Sequence, residues 1–149
     1  MPDAVVIARM HTAEHLLSAV MKAEFGCLAP LETHLGDRKS KCDYRVPGPL
    51  GDDEIARIES EINRIISRNH RIVCFELARR EAETTFDLSR IPADLDSMRI
   101  VSIEGVDQTP CSGRHADTTS QLGRFSVQSY DMREPNVIRI RFRLESPPV

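Results

Sequence analysis

Apolar residues recur along this chain with two different periods. Between residues 5 and 25, Leu16, Leu17, Val20 and Met21 form an i, i+1, i+4, i+5 stripe, which predicts a helix, and Gly26 suits the position just past its end. A second helix is expected from Asp52 to about Asn69. Ile55, Ile58, Ile62, Ile65 and Ile66 recur every three or four residues, Asp52 is placed to cap the helix, and Asp53 and Glu54 suit its positive end.

Elsewhere the period shortens to two. Residues 27–50 read as irregular or strand-like. They contain a polar loop, "GDRKSK" at 36–41, then the alternating "CDYRV", which "PGPLG" stops. "RIVCFEL" and "MRIVSIEGV" read as strands, separated by "RREAETTF", a short helix or turn. After the loop "DQTPCSGRHADTTSQLG" come "RFSVQSY" and "VIRIRFRLE", a hairpin turning at Pro135 and Asn136. In the last strand Ile138, Ile140, Phe142 and Leu144 point one way, and Arg139, Arg141 and Arg143 the other. The pattern predicts an α+β fold: an antiparallel sheet with two main helices packed on one face. It is expected to be a single domain over 1–149, with a flexible tail at 145–149 and no internal repeat or linker.

Composition narrows the picture modestly. A chain of 149 residues has room for a real core, and 40% hydrophobic with 29% charged residues is ordinary. Net charge is -3, so no global basic field marks a nucleic-acid binder, and such binding would need a local patch. No apolar run approaches the ~18 residues needed to span a bilayer. The run from Ala4 to Ala8 is shorter than the roughly 7–15 residues of a signal-peptide core. A cytosolic location is expected, where Cys27, Cys42, Cys74 and Cys111 read as thiols or metal ligands rather than disulfides.

Two spacings then carry chemistry. His11 and His15 are four apart, so on a helix advancing about 100° per residue they share one face. Cys111 and His115, again four apart, lie in the Gly- and Pro-bearing loop. Two imidazoles, a thiolate and a third imidazole make a tetrahedral set that suits zinc. His34 and His70 lack such partners and are expected at the surface. A zinc-protease motif, H-E-x-x-H, would place glutamate where this chain has Thr12. Glu14 lies on the opposite flank of His11, so protease chemistry is not expected. Glu14 either approaches the open face of the metal or is a solvated helix carboxylate.

Taken together and in this order, the motifs resemble the alanyl-tRNA editing (AlaX) family. They are equally similar to the editing domain of alanyl-tRNA synthetase, and less closely to the second N-terminal domain of threonyl-tRNA synthetase. "HTAEHLLSAVM" resembles the family's H-T-A-x-H-L-L helix, and "EIARIESEINRIISRNHRI" its long acidic-start helix and following strand. "GVDQTPCSGRHADTTSQLGRF" resembles its most specific signature, G-x-D-x-x-P-C-G-G-T-H-x-x-x-T-x-x-I-G. The resemblance implies the synthetase editing-domain fold. It also implies a zinc-dependent deacylase, one zinc per chain and no nucleotide cofactor or ATP, cleaving serine or glycine from mischarged alanine tRNA. The implied ligands are His11, His15, Cys111 and His115. Because the chain begins just before the first histidine motif, it is expected to be a short, freestanding form that edits in trans. Thr12 and Glu14, flanking the ligands, are the candidates for aligning water or substrate; Asp107, Gly113 and Arg114 are the candidates for binding substrate.

Three departures from the family pattern surround the expected pocket. Ser112 and Arg114 replace a glycine and a threonine, Glu14 stands where relatives often carry a hydroxyl or apolar residue, and the loop at 36–41 is charged. The Arg114 guanidinium either clamps a phosphate of the tRNA end or points to solvent. Arg38, Lys39 and Lys41 form one candidate tRNA contact, expected near the metal. The Arg139, Arg141 and Arg143 stripe is a second, unless it is a solvated or edge-protecting face. A different mischarged tRNA, of the threonyl type, and a non-catalytic zinc-stabilised tRNA-binding module are the rival functions.

Overall fold

The computed structural model describes residues 4–145. Helix α1 spans Ala4–Phe25 and ends at Gly26, whose φ of +69° lies in the left-handed region that glycine adopts without strain. Strands β1 (Glu32–His34) and β2 (Ser40–Arg45) follow, then helix α2 (Asp52–Ser67). Strand β3 (Ile72–Ala78), the one-turn helix α3 (Arg79–Ala82), β4 (Ser97–Ile103) and β5 (Asp107–Pro110) form the next unit. A 3-10 turn at Thr119–Leu122 leads into β6 (Arg124–Glu134) and β7 (Val137–Glu145).

The expected α+β class is borne out, with all strand pairs antiparallel, but the strands divide between two sheets. One runs β1-β2-β7-β6 and the other β3-β4-β5. Inward residues of the first sheet, Cys42, Tyr44, Phe125, Ile138, Ile140 and Phe142, share one core with both long helices. From α1 come Met10, Ala13, Leu16, Leu17, Val20 and Met21, and from α2 all five isoleucines. Ile58 and Ile62 are fully enclosed, each such side chain contributing about 1.5–3 kcal/mol. A smaller cluster of Ala82, Met98 and Ile100 lies on the other sheet, with Leu77, Phe86, Leu88 and Ile91 around it.

Several boundaries differ from expectation. Residues 107–110, read as loop, are a strand: Asp107 through Pro110 pair with Ile103 through Ile100 across a tight turn at Gly105. Pairing to a neighbour, which local composition does not encode, makes that strand. Gly51 rather than Asp52 is the N-cap of α2, and the Glu54 carboxylate accepts its N–H at 3.0 Å. Asp52 instead accepts the Tyr130 hydroxyl. Glu145, placed in the expected tail, closes β7; the rest of that tail, 146–149, lies outside the described residues.

Strand β6 is an edge, and α2 satisfies it. Asn63 exchanges two 2.9 Å hydrogen bonds with the Phe125 backbone, and Glu59 accepts the Val127 N–H at 3.0 Å. An edge so occupied is closed to further strand pairing there. Among the described residues, no helix is long and apolar enough to cross a membrane.

Candidate metal centre

Helix α1 presents His11 and His15 on one face, and the loop after β5 brings Cys111 and His115 against them. Their ligating atoms all lie within 4.8 Å of one another. Cys111 Sγ is 3.4 Å from His11 Nε2 and 3.5 Å from His115 Nε2. Tetrahedral zinc, with bonds of about 2.0 Å to nitrogen and 2.3 Å to sulfur, sets such atoms roughly 3.5 Å apart. The donor chemistry and the spacing both fit a tetrahedral cation. The three rings crowd together, with centroids 4.3 to 5.0 Å apart.

Burial keeps the imidazoles neutral, as ligands must be. It lowers His11, lowers His15 far below the ordinary histidine range, and with the neighbouring His11 and Arg99 takes His115 down to about 3. The same desolvation raises the Cys111 thiol, partly offset by the Gly113 N–H.

The loop that carries Cys111 and His115 is tied down at both ends. Arg9 of α1 donates to the carbonyls of Gln121 at 2.8 Å and Leu122 at 3.0 Å. The buried Thr119 hydroxyl accepts the His70 N–H at 2.9 Å and donates to the Ile65 carbonyl at 3.2 Å, in the last turn of α2. At the other end the Arg99 guanidinium donates to the carbonyls of Cys111 and Gly113. Sequence reasoning missed Arg9, Arg99 and Thr119. A lone cation within the apolar run "MRIVSI" was the available signal for Arg99; the others bond backbone and leave no spacing to read.

Thr12, expected to align water or substrate, is engaged by the protein itself. It is 0% exposed, and all its hydrogen-bonding capacity is used. The hydroxyl donates to the Ala8 carbonyl at 3.1 Å, accepts the Ala116 N–H at 3.0 Å, and meets His115 Nδ1 at 3.1 Å. With its one proton given to Ala8, the hydroxyl can only accept from His115. That puts the imidazole proton on Nδ1 and leaves the Nε2 lone pair facing Cys111.

Glu14 is half-buried rather than solvated. Its carboxylate accepts the Ser18 hydroxyl at 2.8 Å, and Ser18 meets the fully buried Tyr44 hydroxyl at 2.6 Å. Burial raises its pKa to about 7, against the Ser18 hydrogen bond, with nearby Asp107 adding to the rise. Asp107, on β5, takes the Thr109 hydroxyl. Gly113 packs on the His11 ring so closely that a Cβ there would overlap it. Its role is close approach. Arg114 points its side chain to solvent while its backbone carbonyl accepts from the His11 ring.

Arg38 and Lys39 are exposed in the turn between β1 and β2, and Lys41 is half-buried. Among the described residues none of the three has an ion-pair partner, and no hydrogen bond ties that turn to the four donors. Arg139, Arg141 and Arg143 lie on the sheet face opposite the helices, each paired with an acid. Arg139 grips Asp43 at 2.8 and 3.0 Å, Arg141 meets Asp131 at 2.7 Å, and Arg143 meets Glu145 at 3.4 Å. The stripe offered as a second candidate tRNA contact, or else a solvated or edge-protecting face, is a row of ion pairs. His34 is exposed on β1, and half-buried His70 bonds the Glu104 carbonyl at 2.8 Å; neither approaches the donors. An open groove of about 510 Å³ between α2 and β6 contains none of the candidate site residues.

One motif on a helix and one in a loop bring four potential metal ligands together in an α+β domain. Residues 98–141 match the model of the threonyl and alanyl tRNA synthetase second additional domain. Over 136 residues the chain is 32% identical to the alanyl-tRNA editing protein AlaX-L of Pyrococcus horikoshii, covering 90% of this chain and 33% of that protein. It is 28% identical over 143 residues to AlaX-M of Methanosarcina acetivorans, covering 91% of this chain and 57% of the relative. It is 31% identical over 121 residues to the alanine–tRNA ligase of Prochlorococcus marinus, covering 80% of this chain and 14% of the ligase. The chain is thus similar to alanyl-tRNA editing proteins and to the corresponding part of alanine–tRNA ligases. It spans only a part of each of these longer relatives, between about a seventh and somewhat over half.

Proposed function

We propose that this protein is a zinc-dependent deacylase that hydrolyses mischarged aminoacyl-tRNA in trans, with serine or glycine on alanine tRNA as its substrates. The observation that carries the reading is the convergence of His11, His15, Cys111 and His115 at tetrahedral spacing, in the two motifs shared with the editing family. Relatives named for alanyl-tRNA editing support the substrate class. A protein acting on charged tRNA during translation belongs in the cytoplasm.

One bound zinc would be held by these four side chains and would supply a fixed positive charge that draws in the amino or hydroxyl group of the substrate. Four protein donors fill a tetrahedral set, so water activation is assigned to the chain itself. Glu14, with a pKa near neutrality and a carboxylate held by Ser18, is suited to take the proton of the attacking water. The water oxygen bonds to the ester carbonyl carbon, the bond to the ribose oxygen breaks, and that oxygen leaves protonated as the tRNA 3′ terminus. Arg38, Lys39 and Lys41, with Arg114, are the cations we assign to the tRNA backbone, because they have no acidic partners among the described residues.

The test is release of serine or glycine from mischarged alanine tRNA by the purified protein, assayed beside its metal content. Activity lost in Cys111→Ala and His115→Ala, together with the zinc, supports the reading. Equal rates with wild type, Cys111→Ala and no protein would sink it.

The complete four-donor set also favours a second reading, a zinc-stabilised tRNA-binding module without turnover. It requires tight zinc and salt-dependent tRNA binding, and multiple-turnover deacylation excludes it. A panel of mischarged tRNAs separates alanine-tRNA editing from the threonyl type.

A further inference from the structure

We propose that Arg99 is a positioning residue that preforms the metal centre by clamping the Cys111–Gly113 segment from beneath. Met98 and Ile100 face the small cluster on one side of β4, so alternation turns Arg99 to the other side, where Cys111 lies opposite it. Its main chain already holds the segment, the Cys111 N–H donating to the Arg99 carbonyl at 3.0 Å. The guanidinium then folds under the same residues. Nη1 donates to the carbonyls of Gly113 and, at 3.4 Å, Cys111, while Nη2 meets Cys74 Sγ at 3.0 Å. Three acceptors, two in the loop and one on β3, are gathered by one planar fork, which a lysine cannot reproduce.

The clamp reaches both halves of the metal centre. Cys111 contributes its sulfur directly, and Gly113 is the seat on which the His11 ring rests. If the segment drifts, the sulfur and the His11 ring drift with it. Charge alone would work the other way. A guanidinium beside a cation site repels the cation, so an Arg99 acting only through its field would weaken metal binding, and removing it would tighten binding. A clamp predicts the opposite sign, and outer-shell partners of metal ligands typically carry 10- to 100-fold in affinity.

This inference rests on the zinc reading above, and its test separates the two. Zinc affinity is measured by competition with a chromophoric chelator for wild type, Arg99→Met and Arg99→Lys. Backbone hydrogen exchange of residues 111–116 is followed in the metal-free forms. The clamp requires affinity to fall roughly 10- to 100-fold in both variants, with faster exchange at 111–116 and unchanged exchange in α2. Unchanged or tighter zinc binding in Arg99→Met, with native exchange at 111–116, overturns it. A wild type that binds no zinc defeats the metal reading, and the exchange comparison still decides the role of Arg99. Faster exchange throughout α2 would make Arg99 a general fold residue and overturn the specific clamp.

Discussion

Thr12 Oγ1 lies 3.1 Å from Nδ1 of His115, a contact between residues 103 positions apart that joins the helix motif to the loop motif. Thr12→Val keeps the shape and removes the hydroxyl. The Ala116 N–H then loses its acceptor and the His115 tautomer its lock. We expect a loss of about 1–3 kcal/mol in thermal unfolding and about 10- to 100-fold in zinc affinity. Thr12→Ser should retain most of both.

Gly113→Ala puts a methyl group into the His11 ring. We expect overpacking of about 1–3 kcal/mol and a substoichiometric zinc content by elemental analysis. Ser112→Ala, at the exposed neighbour, should match wild type in both measurements.

Glu14→Gln preserves the hydrogen bond from Ser18 but cannot take a proton. If Glu14 is the general base, kcat for deacylation falls about 10²- to 10⁴-fold with little change in KM. An unchanged kcat removes Glu14 from the mechanism and leaves it as a wall of the pocket.

The metal-free protein should be acid-labile. His11, His15 and His115 all have folded pKa values below the ordinary 6.5, so the unfolded chain binds more protons below that pH. Their stability is present above 6.5 and is lost as pH falls toward the His115 value of about 3. Glu14 opposes this. Its pKa is raised from 4.5 to about 7, so its contribution is present below 4.5 and is lost as pH rises through 7. Three histidines against one carboxyl leave a net fall on acidification. Thermal melts in chelator between pH 7 and 5 should show it, and Glu14→Gln should steepen it.

The two basic clusters should separate in a salt titration of tRNA binding. Alanine at Lys39 or Arg38 should reduce the slope of log affinity against log salt by about 0.7–0.9 for each phosphate no longer neutralised. Arg139→Ala should leave that slope unchanged while lowering stability, because it strips the buried Asp43 of its bidentate partner.

Much of this molecule could be read from local pattern. The isoleucine period of α2, the stripe of α1 and the alternation of Ile138, Ile140 and Phe142 each commit a segment to one face. That is a property of neighbouring residues. Strand β5 could not be read this way, because "DQTP" is polar and ends in proline, and only the neighbouring β4 makes it extended. Nor could the pairing of Arg139 with Asp43, whose partners are 96 positions apart.

The candidate site divides along the same line. Its donor types and their four-residue spacings are written in "HTAEH" and "CSGRH", since ligand chemistry and helical pitch are both local. Their closure into one cluster was decided by tertiary structure alone. So were the fates of Thr12, turned into a buried support, Glu14, half-buried beside Ser18, and Arg99, folded beneath the loop. Each depends on a hydrogen bond or a loss of solvent that comes from distant segments packing together, and such pairings leave no period in the chain.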